Sequence, residues 1–493
     1  MSRKNNLLFS IAMRTILSVV LACGVVFSRA ESLNIPARRA TQVLRGTPEP
    51  STLDRPVLVA ASETDTESRE ALFGDSEEEL GTSVVPQKKE TNFPGLRGFF
   101  QVEMAHTTES PAHWSKMLSR ADISSQGNLG NGIKWKLGAR VDYDAVYSLY
   151  DFYPDAVARD QRFNLSLREN YVDFGAGDWD FRFGKQHVVW GEMVGLFFAD
   201  VVSAREMREF ILPDFETMRI PQWAARGEYF NNDFHAELLW IPVASYDQIG
   251  KPGAEFYPYQ FQAPGVDVQY RNEVLPSRSL SNTNYGLRLS TLKNGWDVSG
   301  FAYSSMDNAA TFYRDASSQP GTFIYEARHD RINQLGGTLS KDLGAVVLKA
   351  ESVFTRGRRF SVLRSSDIDG VVPQNTVDWA VGLDFALPAD TRLNVQFFQR
   401  YFFSHDPDLI SDKREDGYSL LVNRKLNDQL EVQALWIASL NRTDWLFRPR
   451  VVWNFERNWR LAVGADIFKG PVLGFFGRYD GQDRVYSEIR YSF

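Results

Sequence analysis

Residues 133–147 read IKWKLGARVDYDAVY. Ile133, Trp135, Leu137, Ala139, Val141, Tyr143, Ala145 and Tyr147 occupy one set of alternate positions, and Lys134, Lys136, Gly138, Arg140, Asp142 and Asp144 occupy the other. Side chains of an extended chain point to opposite faces in turn, so this stretch reads as one strand with an oily face and a charged face. The period recurs in Trp179, Phe181 and Phe183, in Tyr285, Leu287 and Leu289, and in the run from Val377 to Phe385. It recurs again from Leu393 to Phe403, from Trp445 to Phe455 and from Trp459 to Ile467. Many such stretches run nine to thirteen residues, whereas strands of soluble sheets are commonly about five or six. Tilted strands of the longer kind are what a bilayer requires, and a sheet edge cannot be left open in lipid. The fold class that follows is all-β: a closed transmembrane outer-membrane β-barrel.

The connections provide a second test. Tight turns fall at 127–132, 175–178, 231–233, 294–295, 342–344, 388–390, 427–429 and 457–458, several with the Gly, Asn or Asp that short hairpins favour. Longer links alternate with them, among them 148–162, 190–222, 243–283 and 305–330. That alternation fits short periplasmic turns and longer outer loops. The count is about eighteen antiparallel strands between residues 96 and 493. It includes 116–126, whose own alternation is poor and which the even number demands. The last strand alternates through Val485, Ser487, Ile489, Tyr491 and Phe493. Its Tyr491 and terminal Phe493 resemble the signal read by the barrel assembly machinery.

Composition agrees with this reading. The chain has 35 Phe, 19 Tyr and 12 Trp yet is polar on average, which suits one wet and one oily face per strand. One cysteine excludes a disulfide framework and multi-cysteine metal sites, and a net charge of -7 argues against nucleic acid as a partner. No metal or cofactor motif stands out.

Residues 1–30 read as a signal peptide: Arg3, Lys4 and Arg14 precede the apolar run from Ile16 to Phe27, and Ser28-Arg29-Ala30 offers a cleavage site. Cys23 within that run also admits a lipid-anchor reading. Residues 31–95 form an acidic segment that is expected to be disordered in the periplasm. Up to residue 92 they carry twelve Asp or Glu, seven Lys or Arg and one aromatic, Phe73, too little apolar surface to offset ordering entropy. A tether and a docking segment or plug are both open roles for it.

Eighteen strands enclose a lumen that loops can partly close. The charged faces put Lys134, Arg140, Arg182, Arg226, Glu228, Glu237, Arg288, Lys349 and Glu351 inward. The link 190–222 holds Leu196, Phe197 and Phe198, too apolar to stand in water. Folded into the lumen, it would constrict it. Glu192, Asp200, Arg205, Arg208, Asp214, Glu216 and Arg219 would then form a selectivity site with Arg140, Arg182, Arg226 and Arg288. An outer cap is the competing arrangement. Residues 203–210 are expected to make about two helical turns. The aromatics of 243–283 would either hold loops together or grip a ligand. His187 and His235 lie on or near strands that could bring them together, but no nucleophile accompanies them, so no catalytic site is read.

Residues 168–174 (RENYVDF), 182–192 (RFGKQHVVWGE), 199–203 (ADVVS), 208–210 (REF) and 219–221 (RIP) carry a family likeness. The chain resembles the uncharacterised proteobacterial outer-membrane family catalogued as domain of unknown function 1302. The 171–184 region is also distantly similar to the alginate-export barrel. The first resemblance implies a periplasmic lipoprotein-like carrier and an inner-membrane permease as partners, and traffic in hydrophobic or lipid-like compounds. The expected function is an outer-membrane channel for a small solute of that kind. The alternatives are a structural barrel anchoring an envelope-spanning transport complex and a polysaccharide-export porin. Outer-membrane lipid and lipopolysaccharide would surround any of these.

Overall fold

The computed structural model describes residues 95–191, 193, 199–260, 265–316, 321–364 and 366–493. The expected signal peptide, nearly all of the acidic segment, Glu192 and the Leu196–Phe198 run lie outside the described residues.

Eighteen antiparallel strands form one sheet. They are β1 (Arg97–Thr107), β2 (Trp114–Gly130), β3 (Ile133–Asp144), β4 (Phe163–Ala176), β5 (Trp179–Gln186) and β6 (Gln222–Asn231). Then come β7 (Phe234–Val243), β8 (Asn284–Lys293), β9 (Trp296–Met306), β10 (Arg331–Asp342), β11 (Val346–Ser361) and β12 (Val371–Leu387). The last six are β13 (Thr391–Phe402), β14 (Arg414–Lys425), β15 (Leu430–Ser439), β16 (Trp445–Glu456), β17 (Trp459–Lys469) and β18 (Arg484–Ser492). Each pairs with the next, and β1 pairs with β18 in register from Phe99↔Ser492 to Thr107↔Arg484, which closes the ring. The poorly patterned 116–126 is part of a full strand, β2. No helix among the described residues is long and apolar enough to cross a membrane.

Closure sorts the alternation into an outside and an inside. Leu165, Tyr285 and Leu137 are 64%, 58% and 56% exposed on the outer face. Polar residues of the inward face are buried: Asp466 and Gln396 are 0% and 1% exposed. Inward charges meet across strands. Arg120 on β2 pairs with Asp142 on β3 at 2.7 Å, and Arg140 pairs with Asp122 at 2.7 Å. Shielded from lipid and partly from water, such pairs must be matched, because an unpaired buried charge is costly. One rim carries tight hairpins. Asn294 and Gly295 both have positive φ, 54° and 71°, which suits the turn type that matches strand twist.

The other rim carries the long links, and here the structure corrects several expectations. The strand from Ile133 stops at Asp144 rather than running to 147. The Asp144 carboxylate accepts the backbone N–H of Met117 at 2.9 Å and of Val146 at 3.1 Å, where the chain turns into a short helix, Val146–Leu149. The 305–330 link contains two strands, Thr311–Ala316 and Thr322–Arg328, which join Asp267–Tyr270 in a small outer sheet. Tyr257, Tyr270 and Tyr325 pack against one another in this layer, with centroids 5.3 Å and 5.9 Å apart, alongside Val146, Val157 and Phe312. Tyr257 and Tyr270 of the 243–283 link therefore hold loops together.

Candidate pore site

β5 has eight residues, short beside β4 with fourteen. The chain thus leaves the wall at His187, earlier than the alternation suggests, and rejoins it at Gln222. What lies between is not the two-turn helix expected over 203–210. Arg205 and Ala204 pair with Arg219 and Ile220 instead. Glu206 N–H donates to the Met218 carbonyl at 2.7 Å and Met207 N–H to that of Gln248 at 2.8 Å, so the backbone is satisfied by strand-like partners rather than by a helix. Phe210 turns the chain with φ of 55°. A single helical turn, Phe215–Met218, follows.

This loop is tied to inward residues of the wall in three places. At its start, Trp190 is fully buried against Phe301 and Tyr303 and donates its indole N–H to Glu237 Oε1 at 3.1 Å. Glu351 on β11 accepts the backbone N–H of Met193 at 2.6 Å and of Ala199 at 3.0 Å. In its second half, Arg140 on β3 donates to the Thr217 carbonyl at 3.0 Å, and Arg168 on β4 donates to the carbonyls of Arg219 and Glu216, both at 2.9 Å. Arg219 itself pairs with Asp200 at 2.9 Å and lies over the Phe215 ring.

The third attachment is to the far strands. Glu209 meets Lys116 of β2 at 2.6 Å and Arg484 of β18 at 3.0 Å. Arg448 of β16 donates to the Leu212 carbonyl at 2.8 Å. Asp214 faces Arg450 at 3.2 Å, Arg490 at 3.8 Å and Arg460 at 3.9 Å. Phe210 and Leu212 pack with Ile437, Leu446 and Phe468 of the same side. Burial alone would raise the Glu209 carboxyl, but Lys116 and Arg484 bring it down to about 2. Burial likewise opposes ionisation of Asp214, yet its arginines hold it well below the usual carboxylate range.

A half-open cavity of about 150 Å³ lies between loop and wall, lined among others by Asp122, Lys136, Arg140, Arg168, His187 and Arg219. Burial and the nearby Arg168 push His187 down to about 3, so it is neutral there.

The anticipated residues therefore divide. Asp200, Arg219 and Arg140 come together at the loop–wall contact on the β3–β4 side, Glu216 joins through its carbonyl, and Asp214 lies at the separate contact with β16–β18. Arg205 donates its backbone N–H to Asp247 at 2.8 Å, tying the loop to the outer layer. Arg208 pairs with Glu206 inside the loop at 2.5 Å and donates to the Asp160 carbonyl of the 148–162 link at 3.1 Å. Arg182 pairs with Asp173 at 2.9 Å and Arg226 with Glu228 at 2.8 Å, both along the β4–β6 wall. Arg288 stands in register with Glu237. His235 pairs with Glu228 at 3.2 Å, a setting apart from the His187 cavity. The sequence reading passed over Lys116, Arg168, Glu209 and the arginines of β16–β18. Their signal was present: Arg448 and Arg450, and Arg484, Glu488 and Arg490, hold the positions opposite the oily face.

No family model matches the chain, and no curated protein matches it. Among solved structures, it is similar to OccAB1 of Acinetobacter baumannii, at 10% identity and a TM-score of 0.49, covering 80% of this chain and 95% of that one. It is similar to OccK8 (OprE) of Pseudomonas aeruginosa, at 8% identity and 0.46, covering 81% and 97%. It is also similar to OmpT, an outer membrane protein of Vibrio cholerae, at 10% identity and 0.40, covering 81% and 98%. The likeness is one of architecture. These comparisons do not show the resemblances to domain of unknown function 1302 and to the alginate-export barrel.

Proposed function

We propose that the chain is an outer-membrane channel for small polar solutes, its lumen narrowed by the loop of residues 187–221. The observation that carries this reading is the set of loop contacts, which reach inward residues on β2, β3, β4, β7, β11, β16, β17 and β18. Segments bound on so many sides cross the enclosed space. Away from the apolar patches on which the loop packs, such as Phe301 and Leu446, the inner face is rich in paired charges, which favours a hydrated, charged solute over the lipid-like one that the family resemblance implies. Outer-membrane lipid meets the oily band. A periplasmic carrier and a permease have only that resemblance behind them.

Single-channel recording in planar bilayers tests the reading. A folded barrel passing a small steady current, enlarged when residues 192–212 are deleted, is the expected result. A folded barrel with no current in either form overturns it. That outcome would favour the anchoring barrel, for which the apolar packing of Phe210 and Leu212 across to β15–β17 speaks.

A further inference from the structure

We infer that the inner wall of β16–β18 is a binding site for the carboxylate of a small anionic solute, and that the loop's Asp214 sits in it as an internal stand-in. The inference rests on the channel reading and names the chemistry of its solute.

Five arginines project inward from these three strands: Arg448, Arg450, Arg460, Arg484 and Arg490. The inward acids of the same strands are Asp466 and Glu488. Asp466 is taken up by Arg448 at 2.7 Å and Arg484 at 2.8 Å. Glu488 is nearest Arg460, at 2.9 Å, then Arg490 at 3.5 Å, and reaches Arg450 only at 3.8 Å. The wall thus carries an excess of positive charge that its own strands do not cancel. The loop does so from outside the sheet, with Asp214 at Arg450 and Glu209 at Arg484.

Asp214 fills this place incompletely. Among the described residues its carboxylate takes a hydrogen bond from Arg450 at 3.2 Å, and the contacts at 3.8 Å and 3.9 Å are longer ion pairs. The Arg450 Nε–H is buried and has no hydrogen-bond partner among the described residues. A free carboxylate is not tethered to a backbone and can take both edges of a guanidinium in the planar fork at about 2.7–2.9 Å. It would therefore satisfy the Arg450 donor that Asp214 leaves unused. Arginine is the side chain suited to this, since its fork matches the two oxygens. Guanidiniums that keep Asp214 ionised against its burial favour any other anion at the same point. Entry of the solute carboxylate expels Asp214 and frees the 212–218 stretch from the wall, so solute and loop compete for one site.

Titration of benzoate into the detergent-solubilised full chain reads the site without requiring current. Asp214→Asn removes the competitor and should tighten benzoate binding about tenfold. Arg450→Gln should abolish it. If Arg450→Gln fails to assemble, Arg450→Lys keeps the charge without the fork and should weaken binding relative to the wild type. Equal benzoate affinity in wild type, Asp214→Asn and the Arg450 variant overturns the inference. Bilayer current on the same proteins separates the two readings. Binding that responds to these substitutions in a non-conducting barrel keeps the site and removes the channel, and current without such a response does the reverse.

Discussion

Replacing Glu351 with Ala should release the start of the loop. Its carboxylate accepts two backbone N–H groups, from Met193 and Ala199, at 2.6 Å and 3.0 Å. Hydrogen bonds to a charged group contribute about 1.5–3 kcal/mol each. The low end for the pair, about 3 kcal/mol, shifts the balance between docked and released loop by a factor of about 150. Alanine also leaves both N–H groups without an acceptor, so the segment gains by moving to water. Glu351→Gln keeps one acceptor oxygen and should lie between. The assay is single-channel conductance with open-channel noise. The expectation is larger and noisier current in Glu351→Ala, a smaller change in Glu351→Gln, and an unchanged strand signal by circular dichroism. Conductance and noise identical to wild type in a folded Glu351→Ala barrel would refute the reasoning, because the loop would then be held by something other than this carboxylate.

Three further outcomes are expected. A Cβ at Gly286 would stand 2.6 Å from the Trp190 ring and 2.8 Å from that of Tyr303, so Gly286→Val should cost about 1–3 kcal/mol by overpacking, read as a lower thermal midpoint. Burial raises the Asp247 carboxyl to about 6, which means the folded chain holds that proton more tightly than the unfolded one. Its cost, about 3 kcal/mol, is full above pH 6 and fades as pH falls towards 4. Asp247→Asn should therefore raise the midpoint at pH 7.5 and give no gain near pH 4, and a gain that persists at pH 4 would disprove this. Deleting Phe493 removes its two backbone hydrogen bonds with Gly98, at 3.0 Å and 2.9 Å, and its ring contact with Phe100. A loss of about 2 kcal/mol at the seam follows, seen as a smaller heat-modifiable fraction on gels.

The barrel could be read from the chain because a bilayer imposes one rule on every strand. Leu137 must differ from Arg140 in the same way that Val463 differs from Arg460, and eighteen repetitions of that rule leave little room for another fold. Even the poorly alternating 116–126 was recoverable, since ring closure constrains the count. The loop was harder. Its acids and arginines were visible, but Glu209 finds Lys116 and Arg484, and Asp214 finds Arg450, only once distant strands are brought side by side. The helix expected over 203–210 failed for the same reason. Local propensity favoured it, and Gln248 and Met218, supplied by the tertiary fold, offered the backbone better partners.

Asp214 and Arg450 are 236 residues apart along the chain, and Glu209 and Arg484 are 275 apart. Apart from Lys116 of β2, which meets Glu209, the central segment therefore lacks its counter-charges on that side until the last three strands have been laid in place. During insertion it must wait, acidic and partly apolar, inside an unfinished cylinder. Contacts this remote in sequence form late and slowly. Stapling the β1–β18 seam late thus does two jobs at one moment: it seals the wall against lipid and fastens the interior. A chain stalled before its final strand would be leaky as well as incomplete.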